Sequence, residues 1–269
     1  MASDENKLSQ EELLEKYDKE STYRKNLGPW GWATLVFGGL LTLFQLYTGY
    51  VGAYPSLIQG ALHVGTALGL AYLFYPINKK LARKKGVAWY DALLAACAMA
   101  ANYYIVINYT RLATDASVFG FTSLDVIVAT VGIFLLLEAT RRVVGLPIVV
   151  VALAAIAYFQ FGSMIPVVGG AQSTWSNTVT KLFFTSSGIL GTPIQISSTF
   201  IYLFLFFGVM LVQTNIGQFF NDIAFRLTGR FTGGTAKTAV VASAMQGMVS
   251  GSSVANTVGS GSFTIPMMK

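Results

Sequence analysis

Charged residues are scarce in this sequence. Of its 269 residues, 11% are charged and 54% are hydrophobic, and the mean hydropathy is +0.57. A soluble globular domain carries roughly 25% charged residues, so more than half of the usual charge is missing. More than half of the acidic residues lie within the first 20 positions, and the basic residues cluster in short segments between apolar blocks. This pattern is typical of a membrane protein with several spans.

Cysteine and histidine each occur once, as Cys97 and His63. No disulfide can form within the chain, and a zinc site built from Cys and His is excluded. Both residues lie in apolar segments, where Cys97 is most simply a small packing residue. His63 is either a hydrogen-bonded packing residue or a proton relay, because ionisable groups at membrane depth are often functional. It has no acidic partner at helical spacing, which favours packing.

Enzymatic activity is not expected. No paired carboxylates and no nucleophile–base set lie at membrane depth, and Asp91 and Asp125 lie near predicted helix starts, where the helix dipole favours them. The net charge of +6 is explained by Lys and Arg in cytoplasmic loops and near anionic headgroups. We therefore expect a lipid bilayer and no nucleic acid as a partner, and no cofactor beyond a coupling ion.

Six apolar segments approach the length of about 20 residues that a spanning helix needs. The sequence predicts an all-α polytopic fold with an amphipathic helix over 215–230 and a re-entrant helical hairpin near the end. Residues 162–198 are polar and are predicted to form an extracytoplasmic loop with a surface-lying helix. The predicted spans are residues 30–50, 57–75, 89–109, 124–139, 143–161 and 200–212, the last being short unless residues 194–199 extend it.

The basic loops predict the orientation. Lys and Arg at 79–85 and the pair Arg141–Arg142 mark the cytoplasmic side, and two predicted spans separate them. Counting back places the amino terminus, including the charged segment 1–28, in the cytoplasm. Glu138 is predicted to pair with either arginine at i+3 or i+4. We expect a multi-pass protein of a bacterial or archaeal inner membrane.

Residues 250–262 carry the most informative pattern. This run of Gly, Ser, Thr and Asn lies between two short apolar arms, and irregular backbone is tolerated in a membrane only against protein or a water-filled cavity. A re-entrant hairpin with a polar tip fits this pattern. Its carbonyl, hydroxyl and Asn256 amide oxygens are hard ligands suited to Na⁺, and half-helix N-termini would favour an anionic group.

Two other interpretations of this region were weighed. Small residues such as Gly247 and Gly251 also mark close packing between membrane helices, but the length of the polar run favours a re-entrant site. Residues 233–238 partly resemble a phosphate-binding loop. That motif needs Gly, Lys and Ser/Thr in succession after a strand, so transport energised directly by ATP on this chain is not supported.

The same region carries a family resemblance. Residues 233–237 (GGTAK), 242–256 (ASAMQGMVSGSSVAN) and 263–268 (FTIPMM) closely resemble the first re-entrant hairpin in the large M subunit of tripartite ATP-independent periplasmic (TRAP) transporters. Residues 145–147 (GLP) resemble the start of M. The four preceding spans resemble the small Q subunit fused to it, an arrangement similar to the TAXI-associated branch with four plus twelve helices.

The resemblance implies an elevator-type permease, driven by a Na⁺ or H⁺ gradient, that imports organic acids or related small anionic solutes. An extracytoplasmic solute-binding protein would deliver the substrate. The implied domains are a charged segment (1–28), a Q-like scaffold (29–142) and an incomplete M-like transport domain (143–269). Because the chain stops after the first hairpin, we expect it to be inactive without the missing carboxy-terminal half of M.

The resemblance also implies the site residues. The implied cation ligands are Ser250, Gly251, Ser252 and Asn256, and the implied substrate-binding residues are Ser253, Thr257, Gly259 and Ser260. Many relatives carry Asp at the position of Asn256, so the means of balancing the cation charge differs here. Two alternatives remain open: a non-transporting scaffold or anchor for a partner protein, and an oligomeric channel with the polar tip as its filter.

Overall fold

Every regular element in the described residues is helical. The computed structural model describes residues 23–77, 86–162, 173–214 and 216–248, together with residues 257, 260, 261, 264, 265 and 268. The all-α polytopic fold class is confirmed. The helices are α1 (Trp30–Val51), α2 (Ser56–Phe74), α3 (Trp89–Ile107), α4 (Ala116–Phe119), α5 (Ser123–Val143), α6 (Leu146–Phe161), α7 (Trp175–Phe184), α8 (Thr192–Ile196), α9 (Tyr202–Gln213), α10 (Ile216–Thr228) and α11 (Gly234–Gly247), with π-helical turns at Arg111–Asp115 and Ser197–Ile201.

Within the described residues, five helices are long and apolar enough to cross a membrane. They are α1, α2, α3, α5 and the span Thr192–Leu211, in which α8 continues through the π-helical turn into α9. The predicted short span at 200–212 is thus extended by the preceding residues. The remaining predicted span, at 143–161, corresponds to α6, which has 16 residues and a length of about 24 Å at 1.5 Å per residue, less than a typical hydrocarbon core.

The chain divides into two compact units, with the boundary between Phe200 and Ile201. The first, which we call the amino-terminal unit, is Thr22–Phe200, and residues from Ile201 onwards form the carboxy-terminal unit. The family resemblance predicted a boundary near residue 143 instead. That prediction concerned Q-like and M-like sequence rather than compactness, and it stays a prediction.

Close helix packing holds the amino-terminal unit together. On α2, a Cβ built at Gly65 would lie 2.8 Å from Cβ of Asn102, and one at Gly69 would lie 2.7 Å from Cγ of Met99. Since Cβ atoms do not normally approach so closely, only glycine lets α3 pack at this distance. On α5, Gly132 meets the Phe183 ring of α7 in the same way, so the helix predicted in the 162–198 loop packs against the bundle.

The carboxy-terminal unit is built around the α10–α11 pair. Helix α10 is the predicted amphipathic helix, and Gly233, with φ of +70°, turns the chain into α11. A Cβ at Gly234 would lie 2.8 Å from the carbonyl oxygen of Thr228. The Oγ1 atoms of Thr228 and Thr238 are 2.6 Å apart, so a hydrogen bond joins the two helices where they approach most closely.

Of the predicted polar tip at 250–262, the structure describes three residues. Thr257, Ser260 and Gly261 are helical, as are Thr264, Ile265 and Met268. Ser and Thr side chains can bond to their own helix backbone, and Thr264 does so by donating to the Ser260 carbonyl oxygen at 2.8 Å. The polar re-entrant tip stays a prediction, and its described residues are helical.

Candidate functional sites

Two of the eight predicted site residues belong to the described structure. Thr257 is exposed, and Ser260 is 4% exposed. The assignment of the other six stays a prediction, because they lie outside the described residues: Ser250, Gly251, Ser252, Ser253, Asn256 and Gly259.

Thr257 and Ser260 line a groove in the carboxy-terminal unit with a cavity volume of about 480 Å³. One side is α11, and the other is formed by the described helical residues between 257 and 268. The surface is mainly apolar, with hydroxyl groups at a few positions. The lining residues are Ala239, Val240, Ser243, Ala244, Thr257, Ser260, Gly261, Thr264, Ile265 and Met268. The structure thus brings both described site residues to one concave surface, together with Ser243, which sequence reasoning did not single out.

A second concave surface adjoins α11 and shares Val240 with the groove. It has a volume of about 410 Å³ and is lined by Thr228, Phe231, Lys237, Val240 and Val241. The Lys237 Nζ atom lies 5.3 Å from the centroid of the Phe231 ring, within the range of a cation–π interaction. Lys237 belongs to residues 233–238, the segment that partly resembles a phosphate-binding loop. In the structure Lys237 lies on α11, with its ammonium group over the Phe231 ring.

A buried polar cluster in the amino-terminal unit was not predicted as a group. Gln45 of α1 and Gln59 of α2 are fully buried, and His63 is 8% exposed. Gln45 Nε2 lies 3.0 Å from His63 Nδ1, and His63 Nε2 lies 3.2 Å from Ser197 Oγ. Gln59 Nε2 lies 3.2 Å from the carbonyl oxygen of Ser198. In the sequence, the signal for this cluster was two glutamines and a histidine within apolar spans. The structure shows that His63 is buried and hydrogen-bonded, as the packing interpretation expected.

A buried ion network joins the segment before α1 to α3 and α5. Asp91 Oδ2 accepts from Arg24 Nη2 at 2.5 Å, and its Oδ1 accepts from Arg142 Nη1 at 2.7 Å. Glu138 binds both Arg141 and Arg142, at 2.7 and 2.8 Å. Sequence reasoning predicted that Glu138 pairs with either arginine and assigned Asp91 to the helix dipole alone. The structure adds that Asp91 is the shared acceptor of two buried guanidinium groups.

A second ion pair lies near the end of α3 and the start of α5, whereas the Asp91 network lies near the start of α3 and the end of α5. Asp125 forms a capping box with Thr122 at the start of α5, as its position near a helix start predicted. It also accepts from Arg111 Nη2 at 2.6 Å and from Tyr104 Oη at 2.7 Å. Hydrogen bonding to the Asp125 carboxylate raises the pKa of the Arg111 guanidinium above its ordinary value. Arg111 thereby ties the π-helical turn to both helices.

The apolar helices of the described residues define a multi-pass membrane protein. Residues 131–269 match the family model for the tripartite ATP-independent periplasmic transporter, DctM component. Because this match covers just over half of the 269 residues, the chain belongs to that family. The family is one of transporter membrane components and not of enzymes. No curated protein and no solved structure matches the chain.

Within the described residues, no group of three or more His, Cys, Asp or Glu side chains could hold a metal ion. The cation ligands predicted from the sequence offer hydroxyl, carbonyl and amide oxygens, and their assignment stays a prediction. This chemistry suits a weakly held alkali cation better than a transition metal, since carbonyl and hydroxyl oxygens are hard ligands.

Proposed function

We propose that this TRAP-type permease component takes part in ion-gradient-driven import of organic acids or related small anionic solutes. The observation that carries the proposal is the family match over 131–269, which includes α11, the groove and the polar run after it. Members of this family generally work with a solute-binding protein at a membrane bilayer, and we infer the same partner here. Inner-membrane location and a cytoplasmic amino terminus belong to the same proposal.

We further propose that the coupling cation binds at Ser250, Gly251, Ser252 and Asn256. The chemistry of these residues supports the assignment, because hydroxyl, carbonyl and amide oxygens can replace the hydration shell of a hard cation. The coupling ion is Na⁺ or H⁺, and neutral ligands favour Na⁺ since a proton needs a titratable group.

The substrate is proposed to bind beside this cation, at Ser253, Thr257, Gly259 and Ser260. A groove of about 480 Å³ lies within the ~300–1,000 Å³ typical of small-molecule sites. Exposed Thr257 is better placed to contact a solute than Ser260, which is 4% exposed. The mainly apolar lining suits a short carbon chain, and the hydroxyl groups suit its polar end.

Residues 29–142 are proposed to form a Q-like scaffold fused to the M-like part, as in the TAXI-associated branch. In support, the family match begins within α5, after α1, α2 and α3. The amino-terminal unit also has the closest packing of helices and two ion networks, which suit a domain that stays rigid during transport.

Uptake into proteoliposomes tests the function. The intact transporter is reconstituted with its solute-binding protein, and labelled dicarboxylates and amino acids are supplied under an imposed Na⁺ gradient or an imposed pH gradient. We expect uptake of at least one anionic solute that stops when an ionophore dissipates the coupling gradient. Uptake that is unaffected by both ionophores but needs ATP would contradict the proposal. A full lack of uptake, with solute-binding protein still captured, would favour the scaffold alternative.

Site variants test the residue assignments. Ser252→Ala and Asn256→Asp are expected to change the cation concentration for half-maximal uptake. Thr257→Val is expected to raise the solute concentration required, and it leaves cation dependence in place. Thr214→Val is a matched control, because it removes an exposed hydroxyl at the end of α9 that donates to the nearby Leu211 carbonyl oxygen and does not line the groove. If Ser252→Ala and Asn256→Asp both leave ion dependence unchanged, the cation-site assignment is wrong.

A further inference from the structure

The buried polar cluster of the amino-terminal unit holds His63 in one neutral tautomer. Gln45 Nε2 is an N–H donor, so His63 Nδ1, 3.0 Å away, accepts its hydrogen bond. The ring proton is then on Nε2, which donates to Ser197 Oγ at 3.2 Å. A neutral imidazole with Nδ1 as acceptor is therefore the form that the structure contains.

The neighbouring Gln59 amide is poorly matched to its surroundings. Its Nε2 lies 3.2 Å from each of three acceptors: Gln45 Oε1, Thr48 Oγ1 and the Ser198 carbonyl oxygen. An amide nitrogen has only two hydrogens for these three acceptors. The Gln59 Oε1 atom is buried and has no hydrogen-bond partner. Acceptors thus outnumber donors in this cluster, and a buried unsatisfied acceptor costs about 1–3 kcal/mol.

One added proton would change this balance. Protonation of Nδ1 turns it into a donor, so the Gln45 amide must rotate and present Oε1 to the ring. Gln45 Nε2 then faces Gln59, whose own rotation brings its unsatisfied Oε1 towards Gln45 Nε2 and the Thr48 hydroxyl. The Ser198 carbonyl loses the Gln59 donor. A single proton taken up from water therefore exchanges hydrogen-bond partners along the cluster and breaks no covalent bond.

We propose that His63 is a proton-binding site and that its protonation breaks the hydrogen bond between Gln59 and Ser198. Ser197 and Ser198 lie in the π-helical turn Ser197–Ile201, and π-helical segments inside α-helices are frequent at functional sites. Protonation of a residue on α2 would thus loosen this turn. The proposal concerns a site apart from the groove and does not depend on the cation-site assignment.

The charged groups on the helices around His63 are engaged elsewhere. Helix α1 and residues 192–201 contain no acidic or basic residue. The nearest titratable group on α3 in the hydrogen-bond pattern is Tyr103, whose Oη lies 2.8 Å from Thr66 Oγ1 of α2. The carboxylates on α3 and α5 are each paired with arginine, namely Asp91 with Arg24 and Arg142, Asp125 with Arg111, and Glu138 with Arg141 and Arg142. Protonation of His63 would therefore act on the surrounding helices through amide and hydroxyl groups.

Nitrogen NMR tests the proton-binding step on the unmodified protein. His63 is the only histidine in this sequence. In this chain, labelled with ¹⁵N-histidine and purified without a histidine tag, the imidazole nitrogen signals therefore come from His63. We expect the tautomer with the proton on Nε2 at about pH 8 and a doubly protonated ring on acidification. A ring that stays neutral down to about pH 4, or that carries its proton on Nδ1, would overturn the proposal.

Hydrogen exchange tests the consequence for the π-helical turn. Amide exchange of peptides covering 197–202, corrected for the intrinsic pH dependence, is expected to rise about fivefold to tenfold on acidification, as for loss of one hydrogen bond. His63→Asn keeps an acceptor near the Nδ1 position and cannot be protonated, so the rise should vanish. Thr66→Ala, which removes a hydroxyl one turn along α2, is the control and should retain it. A rise that persists in His63→Asn would overturn the proposal.

Discussion

Asp91→Asn is expected to destabilise the amino-terminal unit strongly. The Asp91 side chain is fully buried, and its two partners, Arg24 and Arg142, have side chains that are 2% and 1% exposed. The substitution keeps the shape and removes the charge. One amide oxygen remains as an acceptor, while the amide nitrogen is directed at a guanidinium group, so two buried cations lose their shared anion.

The size of the effect follows from this burial. Breaking a buried ion pair by removing one partner costs about 3–5 kcal/mol, because the remaining charge is left uncompensated. Some acceptors remain: Arg24 still donates to the Leu73 carbonyl oxygen at 3.0 Å, and Arg142 still binds Glu138 at 2.8 Å. We therefore expect a loss near the lower end of that range.

Reversible unfolding in mixed micelles of mild and denaturing detergent measures this free energy. Asp115→Asn is the matched control, because Asp115 is exposed and its carboxylate accepts a hydrogen bond from the adjacent Thr114 hydroxyl. It should unfold like the unmodified protein. Arg24→Met should cost less than Asp91→Asn, since Asp91 keeps Arg142. A loss below about 1 kcal/mol for Asp91→Asn, or the reverse order of the two variants, would refute the reasoning.

Two further predictions concern packing. Gly132→Ala should destabilise the protein by about 1–3 kcal/mol, because the new Cβ would lie 2.3 Å from Cζ of Phe183. Gly39→Ala is the control, because its Cβ would have no atom within 4 Å. It should unfold at the same denaturant concentration as the unmodified protein or higher. Thr228→Val should weaken the α10–α11 pair by about 1 kcal/mol, because it removes the 2.6 Å hydrogen bond to Thr238. Proteolysis of the turn at Gly233 would then be faster, and an unchanged cleavage rate would contradict this prediction.

Helix positions were predictable because the bilayer fixes them. A span must satisfy its backbone hydrogen bonds internally and must cover about 30 Å, so apolar run length alone located α1, α2, α3 and α5 to within a few residues. The ion pairs of Glu138 were predictable too, since Glu138 and its two arginines are neighbours on one helix. The amphipathic α10 was predicted from the spacing of its apolar residues.

Long-range polar contacts were not predictable in this way. Gln59 and Ser198 are 139 residues apart, and Arg24 and Asp91 are 67 apart. Their pairing depends on which faces of the helices meet, and that depends on close approaches such as Gly65 against Asn102. A glutamine in an apolar run does not reveal its partner. The polar tip at 250–262 stays a prediction, and its described residues, Thr257, Ser260 and Gly261, are helical.

Concentrative uptake is the most direct measurement of the central claim, that this chain serves an ion-driven TRAP permease. Proteoliposomes containing the intact transporter and its solute-binding protein are given an inward Na⁺ or H⁺ gradient at zero membrane potential. A tenfold gradient stores about 1.4 kcal/mol per ion, and at zero membrane potential tenfold accumulation of an anionic solute requires the same amount. We predict internal solute above its external concentration for one of the two gradients. Simple equilibration of the solute under both gradients would contradict the account.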